Sequence, residues 1–277
     1  MQADRPRRRV IASIALGLLL LSSVGAAACT GVVIASDDHV WVGGNEDWVR
    51  FDSHMWAQAA TQDTFGVVFL GYQIRGEWGQ PYHYWYEFHG FNDQGLYFDS
   101  FGAPCVIPTT TLSNPYRGQH LMADAMRTCA TVEEAVEVFE STNLTFMTCQ
   151  QFLFVDKHGT AAVVEGDQTV WMEGDTFAIT NFYLSDPSLG GHPCWRYQRA
   201  TSMLEQDATP SGERIVELID AASHPGTRYS VVCDLNESLL HIYYAGEFTE
   251  WATIDIAELC ETGSARVPVL DLIRASD

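Results

Sequence analysis

From residue 29 onward, short strand-like segments rich in apolar residues and separated by polar turns dominate the chain, and the first of them alternates. Cys29-Thr30-Gly31 opens such a segment through Ala35, and Ser36-Asp37-Asp38 supplies a polar turn. His39 to Gly43 then returns as a second strand into Gly44-Asn45-Glu46-Asp47-Trp48. A hairpin of this length predicts Asp47 beside Cys29. Further strands are predicted at 65–72, 84–88, 96–101, 151–156, 160–165, 176–180, 229–234 and 239–244. Between Asn114 and Asn143 the period becomes helical: Thr131-Val132-Glu133-Glu134 reads as a capping box, with Val132, Ala135, Val136 and Phe139 on one face. Helices are also predicted at 195–206 and 213–222, the second burying Ile215, Val216, Leu218 and Ile219. Strand runs followed by helix runs predict an α+β protein rather than alternating βαβ units. No repeat, linker or low-complexity stretch interrupts 29–277, which reads as one domain.

Residues 1–28 follow a different pattern. Arg5, Arg7, Arg8 and Arg9 precede the apolar run Val10 to Leu21, and Ala26-Ala27-Ala28 closes the segment. Basic start, short apolar centre and small-residue end are those of a signal peptide, so the mature chain is expected to begin at Cys29 and to be exported to the periplasm or secreted. No other stretch approaches the length of a membrane span.

Charge narrows the partners. The chain has 277 residues, 47% hydrophobic, with 15 Lys+Arg against 36 Asp+Glu and a formal charge of −21. A surface this acidic repels polyphosphate, which sets nucleic acid and anionic membranes aside. The seven cysteines form no C-x-x-C pair and the histidines no H-x-x-x-H pair, so neither metal nor cofactor is expected. An odd cysteine count in an exported chain predicts three disulfides and one free thiol, with the pairing left open. A homo-oligomer is left open as well.

A cysteine at the first mature position fits two chemistries. In a lipoprotein its thiol carries diacylglycerol, which would make this an anchored binding or scaffold protein. In an N-terminal nucleophile hydrolase the thiol attacks a carbonyl while its own α-amine, with a reference pKa of roughly 7.7–8.0, handles the protons. The cleavage point by itself leaves both open; Ala26 stands where lipoproteins normally carry leucine.

The residues that follow favour the hydrolase. Cys29-Thr30-Gly31 with Gly44-Asn45-Glu46-Asp47-Trp48 resembles the amino terminus of the choloylglycine hydrolase and penicillin V acylase family, the linear amide C–N hydrolases. Gly90-Phe91-Asn92-Asp93-Gln94-Gly95-Leu96 resembles its Asx-Gly turn, and Phe152 to Asp156 with Gly159 and Val163-Val164-Glu165-Gly166 its central hairpin. Ile179-Thr180-Asn181 resembles its Thr-Asn segment and Thr227 to Asp234 its late strand, so the likeness spans nearly all of 29–245.

The resemblance implies a four-layer αββα sandwich and hydrolysis, or acyl transfer, of a small N-acyl amide such as a conjugated bile salt, penicillin V or an acyl homoserine lactone, without a cofactor. It makes Cys29 the nucleophile, Asp47 the residue that orients its amine, Asn181 an oxyanion donor through its side-chain amide, and Arg228 a cation beside the thiolate. Two positions depart from the bile-salt-hydrolase pattern. Gly44 stands where that pattern has arginine, leaving Arg228, Arg50 or Arg75 to stabilise the thiolate, and Gly102 stands where it has asparagine, a position that serves the oxyanion through its backbone N–H. The aromatic stretch Trp78, Tyr82, Tyr84, Trp85, Tyr86 and Phe88 is read either as core strand or as an acyl pocket, with Trp85 and Tyr86 the substrate-binding candidates. There is no G-x-S-x-G elbow and no P-loop.

Overall fold

The computed structural model describes residues 29–48, 52–75 and 83–276; the leader 1–28, Arg50, Trp78 and Tyr82 lie outside them, as does the side chain of Arg75. In chain order come β1 (Thr30–Ala35), β2 (Val40–Asp47), β3 (His54–Gln58), β4 (Val67–Arg75), β5 (His83–Asn92) and β6 (Leu96–Gly102). Helices α1 (Leu121–Thr128) and α2 (Val132–Glu140) follow, then β7 (Gln150–Asp156), β8 (Ala161–Val164), β9 (Thr169–Trp171) and β10 (Thr176–Ile179). Helices α3 (Trp195–Gln206) and α4 (Gly212–Ala221) precede β11 (Thr227–Asp234), β12 (Leu239–Tyr244) and β13 (Glu247–Asp255). The last described elements are α5 (Ile256–Thr262), β14 (Ser264–Pro268) and α6 (Val269–Arg274).

The strands form a six-stranded sheet, β10-β1-β2-β11-β12-β13, and an eight-stranded sheet, β14-β3-β4-β5-β6-β7-β8-β9. Three apolar clusters hold four layers together. Val33, Val42, Leu70, Leu153 and Val231 pack between the sheets. Phe69, Phe98, Phe152, Leu121 and Phe139 join the eight-stranded sheet to α1 and α2, while Val32, Ile34, Val232, Ala200 and Leu218 join the six-stranded sheet to α3 and α4. Because successive strand residues face opposite sides, β1 buries Val33 inward and Val32 and Ile34 outward, so a strand covered on both faces reads as one apolar run. This is the α+β, αββα arrangement implied by the resemblance.

The expected helix signals hold. Thr131 caps α2 by accepting from the Glu134 N–H at 3.3 Å, although the Glu134 carboxylate reaches the Ala130 N–H (2.6 Å) rather than that of Thr131 itself. Ser211 caps α4, which buries Ile215, Leu218 and Ile219 and leaves Val216 half-buried. The cysteine expectation is corrected: Cys105 and Cys149 form a disulfide, and Cys29, Cys129, Cys194, Cys233 and Cys260 are free thiols. Each of the five is buried, and Cys129, Cys233 and Cys260 pack within the apolar clusters, where a thiol needs no disulfide partner. No helix among the described residues is long and apolar enough to cross a membrane.

Candidate active site

The β1–β2 hairpin pairs Thr30 with Asn45 and Gly31 with Gly44, and continuing that register sets Cys29 opposite Glu46. Alternation then divides the motif between two faces. Cys29, Gly44 and Glu46 point between the sheets; Thr30, Asn45 and Asp47 point toward the helices. Gly31 is needed for close approach, since a Cβ there would lie 2.7 Å from the Phe101 ring. Asn45 anchors the hairpin: its amide donates to the Ile219 carbonyl of α4 (2.7 Å) and accepts from the Ser230 hydroxyl of β11 (2.7 Å).

Asp47 is buried at the end of β2, where it accepts a 2.5 Å hydrogen bond from the Thr227 hydroxyl. His224 Nε2 stands 3.1 Å and Arg196 Nη1 3.9 Å from its other oxygen. Arg196, in the first turn of α3, is itself buried and joins the rest of the site. It donates to the carbonyl oxygen of Cys29, to the Thr30 hydroxyl at 2.9 Å, and to Asn181 Oδ1 at 2.9 Å. Asn181, just beyond β10, passes the chain of contacts on by donating its Nδ2 to the Gly102 carbonyl at 2.9 Å. Thus Cys29, Asp47 and Asn181 come together around one guanidinium, and Asn181 links it to Gly102.

Cys29 is 1% exposed, and its thiol points at Glu46 Oε2, 3.5 Å away. Burial first, then the negative charges of Glu46, Asp47 and Asp99, push it well above the usual cysteine range, with the Asp47 N–H acting the other way. Glu46 is pushed up in turn by burial and by Asp99 and Asp47. Near the same end of α3, burial works against ionisation of Cys194, yet the Thr180 hydroxyl, the N–H groups of Tyr197 and Arg196 and the Arg196 charge hold it below the ordinary range.

A cavity of about 410 Å³ opens against Gly102, lined by Trp48, Tyr72, Tyr86, Phe88, Phe146 and Gln150 among others. Trp48 stacks on Tyr72 (5.9 Å between ring centroids) and Tyr72 on Phe88 (4.8 Å), which makes a rigid aromatic wall. The Cys105–Cys149 disulfide pins the loop after β6 at the edge of this cavity, where Cys149 is one of its walls. Tyr86 is thus one of the walls of this cavity. Trp85 packs elsewhere, against Trp56 and His54, with the Arg266 guanidinium 4.6 Å over its ring.

Arg228 occupies the β-bulge between Thr227 and Tyr229 and donates its Nε to the Trp48 carbonyl, at the wall of the cavity. The guanidinium that contacts Cys29 itself is that of Arg196, which the sequence reading missed; its only signal was an arginine one residue into a helix that follows the Thr-Asn segment. Glu46 was missed too, although the hairpin register already set it opposite Cys29. Among the described residues, no group of three or more His, Cys, Asp or Glu side chains is arranged to hold a metal ion.

No protein-family model matches the sequence, and no curated protein matches it. Solved structures do match in fold. A variant of conjugated bile acid hydrolase from Clostridium perfringens is 14% identical, with a TM-score of 0.66 over 86% of this chain and 95% of that one. Penicillin V acylase from Agrobacterium tumefaciens is 17% identical, with a TM-score of 0.62 over 84% and 87%. The Caenorhabditis elegans N-acylethanolamine-hydrolyzing acid amidase ortholog is 14% identical, with a TM-score of 0.53 over 75% and 93%. This chain shares its four-layer fold with the bile acid hydrolase and the penicillin V acylase.

Proposed function

We propose that this protein is an exported N-terminal cysteine amidohydrolase that cleaves the linear amide bond of a small N-acyl compound through a thioester acyl-enzyme. The observation that carries the reading is the convergence of Cys29, Asp47 and Asn181 on Arg196, with Asn181 linked on to Gly102 beside an apolar cavity, in a fold shared with a bile acid hydrolase and a penicillin acylase.

Removal of residues 1–28 frees the α-amine of Cys29 near the buried Asp47 carboxylate, which favours a base fixed in place. The thiol attacks the substrate carbonyl, and negative charge develops on its oxygen. Asn181 is suited to receive that charge: one N–H is held by the Gly102 carbonyl and its Oδ1 by Arg196, so the remaining N–H has a fixed direction. The Gly102 backbone N–H is the second donor in this scheme. Collapse expels the amine, and water then hydrolyses the thioester. The aromatic wall fits a neutral aryl or alkyl acyl group, and the acidic chain disfavours a strongly anionic one. The lipid-anchored alternative is the weaker reading because Ala26 stands where lipoproteins normally carry leucine.

A hydrolysis screen of mature protein over phenoxyacetyl, fatty acyl and bile-acyl amides tests the reading. Cys29→Ala is expected to abolish turnover, and Asn181→Ala to lower kcat by about 3 kcal/mol, roughly a hundredfold or more, with KM little changed. Near-normal turnover by Cys29→Ala would refute the mechanism.

A further inference from the structure

The face of Cys29 that looks between the sheets carries groups the mechanism above leaves unused. Glu46 Oε2 is 3.5 Å from the Cys29 sulfur, and its second oxygen, Oε1, is buried without a hydrogen-bond partner. Gly44, two residues earlier on the same face, leaves room for groups from the opposite sheet. A Cβ at Gly44 would lie 2.9 Å from Asp99 Oδ2, 3.1 Å from His89 Nε2 and 3.3 Å from the Tyr97 hydroxyl. The space an arginine would need at this position is therefore filled from β5 and β6. Asp99 accepts from the Tyr97 hydroxyl (3.0 Å) and has His89 Nε2 3.3 Å from its other oxygen, while His89 Nδ1 meets the Tyr229 hydroxyl at 2.9 Å. All of these side chains are buried.

We propose that Cys29 and Glu46 form a pair sharing one proton, in which Glu46 is a catalytic residue that takes the thiol proton as the sulfur attacks. The inference rests on the reading of Cys29 as nucleophile and adds a second proton acceptor beside the α-amine. As the S–H bond breaks, an O–H bond forms on Glu46 and the sulfur electron pair forms the C–S bond, while the carbonyl π pair moves to oxygen. On collapse the C–N electron pair stays on nitrogen, which takes the proton back from Glu46.

Burial supplies the physical reason. A thiolate and a carboxylate together would put two negative charges in a dry site beside Asp47 and Asp99, so the pair keeps its last proton to high pH. Moving that proton from sulfur to oxygen changes no net charge, and so avoids the desolvation cost of losing it to water. The groups that face the pair are His89 on β5, Tyr97 and Asp99 on β6 and Tyr229 on β11, while Asp47 acts through its charge from the other face of β2; the Asp99 and Asp47 charges favour retention of the proton.

The test is the pH dependence of iodoacetamide alkylation at Cys29, followed by the mass of its peptide. The full chain is used, because a peptide bond to Ala28 removes the α-amine from the titration. A shared proton keeps the thiolate fraction constant, so the wild-type rate is expected to change less than about threefold between about pH 6 and 8. In Glu46→Gln the thiol titrates alone, and the rate is expected to fall about tenfold for each pH unit below its pKa. A wild-type rate that climbs about tenfold per unit overturns the proposal without reference to any variant, and so does a Gln variant as flat as wild type. A flat wild-type profile in a protein whose mature form hydrolyses no amide supports the pair and defeats only the amidohydrolase reading. Hydrolysis with a steep profile does the reverse.

Discussion

Replacing Arg196 tests whether one side chain holds the site together. Arg196→Met keeps the stem and removes the guanidinium, so the Cys29 carbonyl, the Thr30 hydroxyl and Asn181 Oδ1 each lose a donor in a buried setting. Hydrogen bonds from a charged donor contribute roughly 1.5–3 kcal/mol each, and stripping a buried charge of a partner typically costs about 3–5 kcal/mol. Asp47 retains Thr227 and His224, which limits the loss, so about 3–5 kcal/mol in total is expected. With a urea m-value of about 2–3 kcal/mol/M, the unfolding midpoint followed by tryptophan fluorescence should fall by roughly 1–2 M. Under native conditions the freed Asn181 amide loses its fixed direction, and kcat should fall about a hundredfold. Arg196→Lys keeps the charge but not the fork, and should fall between the two. A midpoint shift below about 0.3 M together with an unchanged kcat would refute the reasoning.

Two further outcomes follow. Glu87 on β5 is pushed up to about 7, by burial first, against the opposing pull of its own backbone N–H and Arg266. The folded protein thus binds more protons than the unfolded chain between the ordinary carboxyl range and about 7, and stability should decline as pH rises through that window, by up to about 3 kcal/mol. Glu87→Gln should flatten this decline, melting higher than wild type at about pH 8 and similarly at about pH 4; parallel melting curves at both would disprove the assignment. Protein unfolded in denaturant without reductant should titrate five thiols, and seven after reduction, in accord with one disulfide; a count of one before reduction would restore the three-disulfide expectation.

What the chain declares by itself is local. The two-residue period and the polar Ser36-Asp37-Asp38 turn determine a hairpin whose register sets Cys29 near Asp47, and the 195–206 periodicity matches α3 residue for residue. These features depend on neighbours a few residues apart, and burial of both sheet faces makes their patterns strong. The strand Glu247–Asp255 left little pattern because it is a mostly exposed edge, and the short α5, β14 and α6 pack at the margins of the sheets, where no long apolar face is needed. The chemistry of the site was only partly legible. Asn181 and Gly102 stand 79 residues apart in sequence and Arg196 lies 167 beyond Cys29, and no local periodicity encodes a contact over such distances. Cysteine parity could not tell half-cystines from buried thiols, since that depends on which side chains the core brings together. Only the stacking of the two sheets decided that His89, Tyr97 and Asp99 would fill the space above Gly44, because in the sequence they are unremarkable members of ordinary strands.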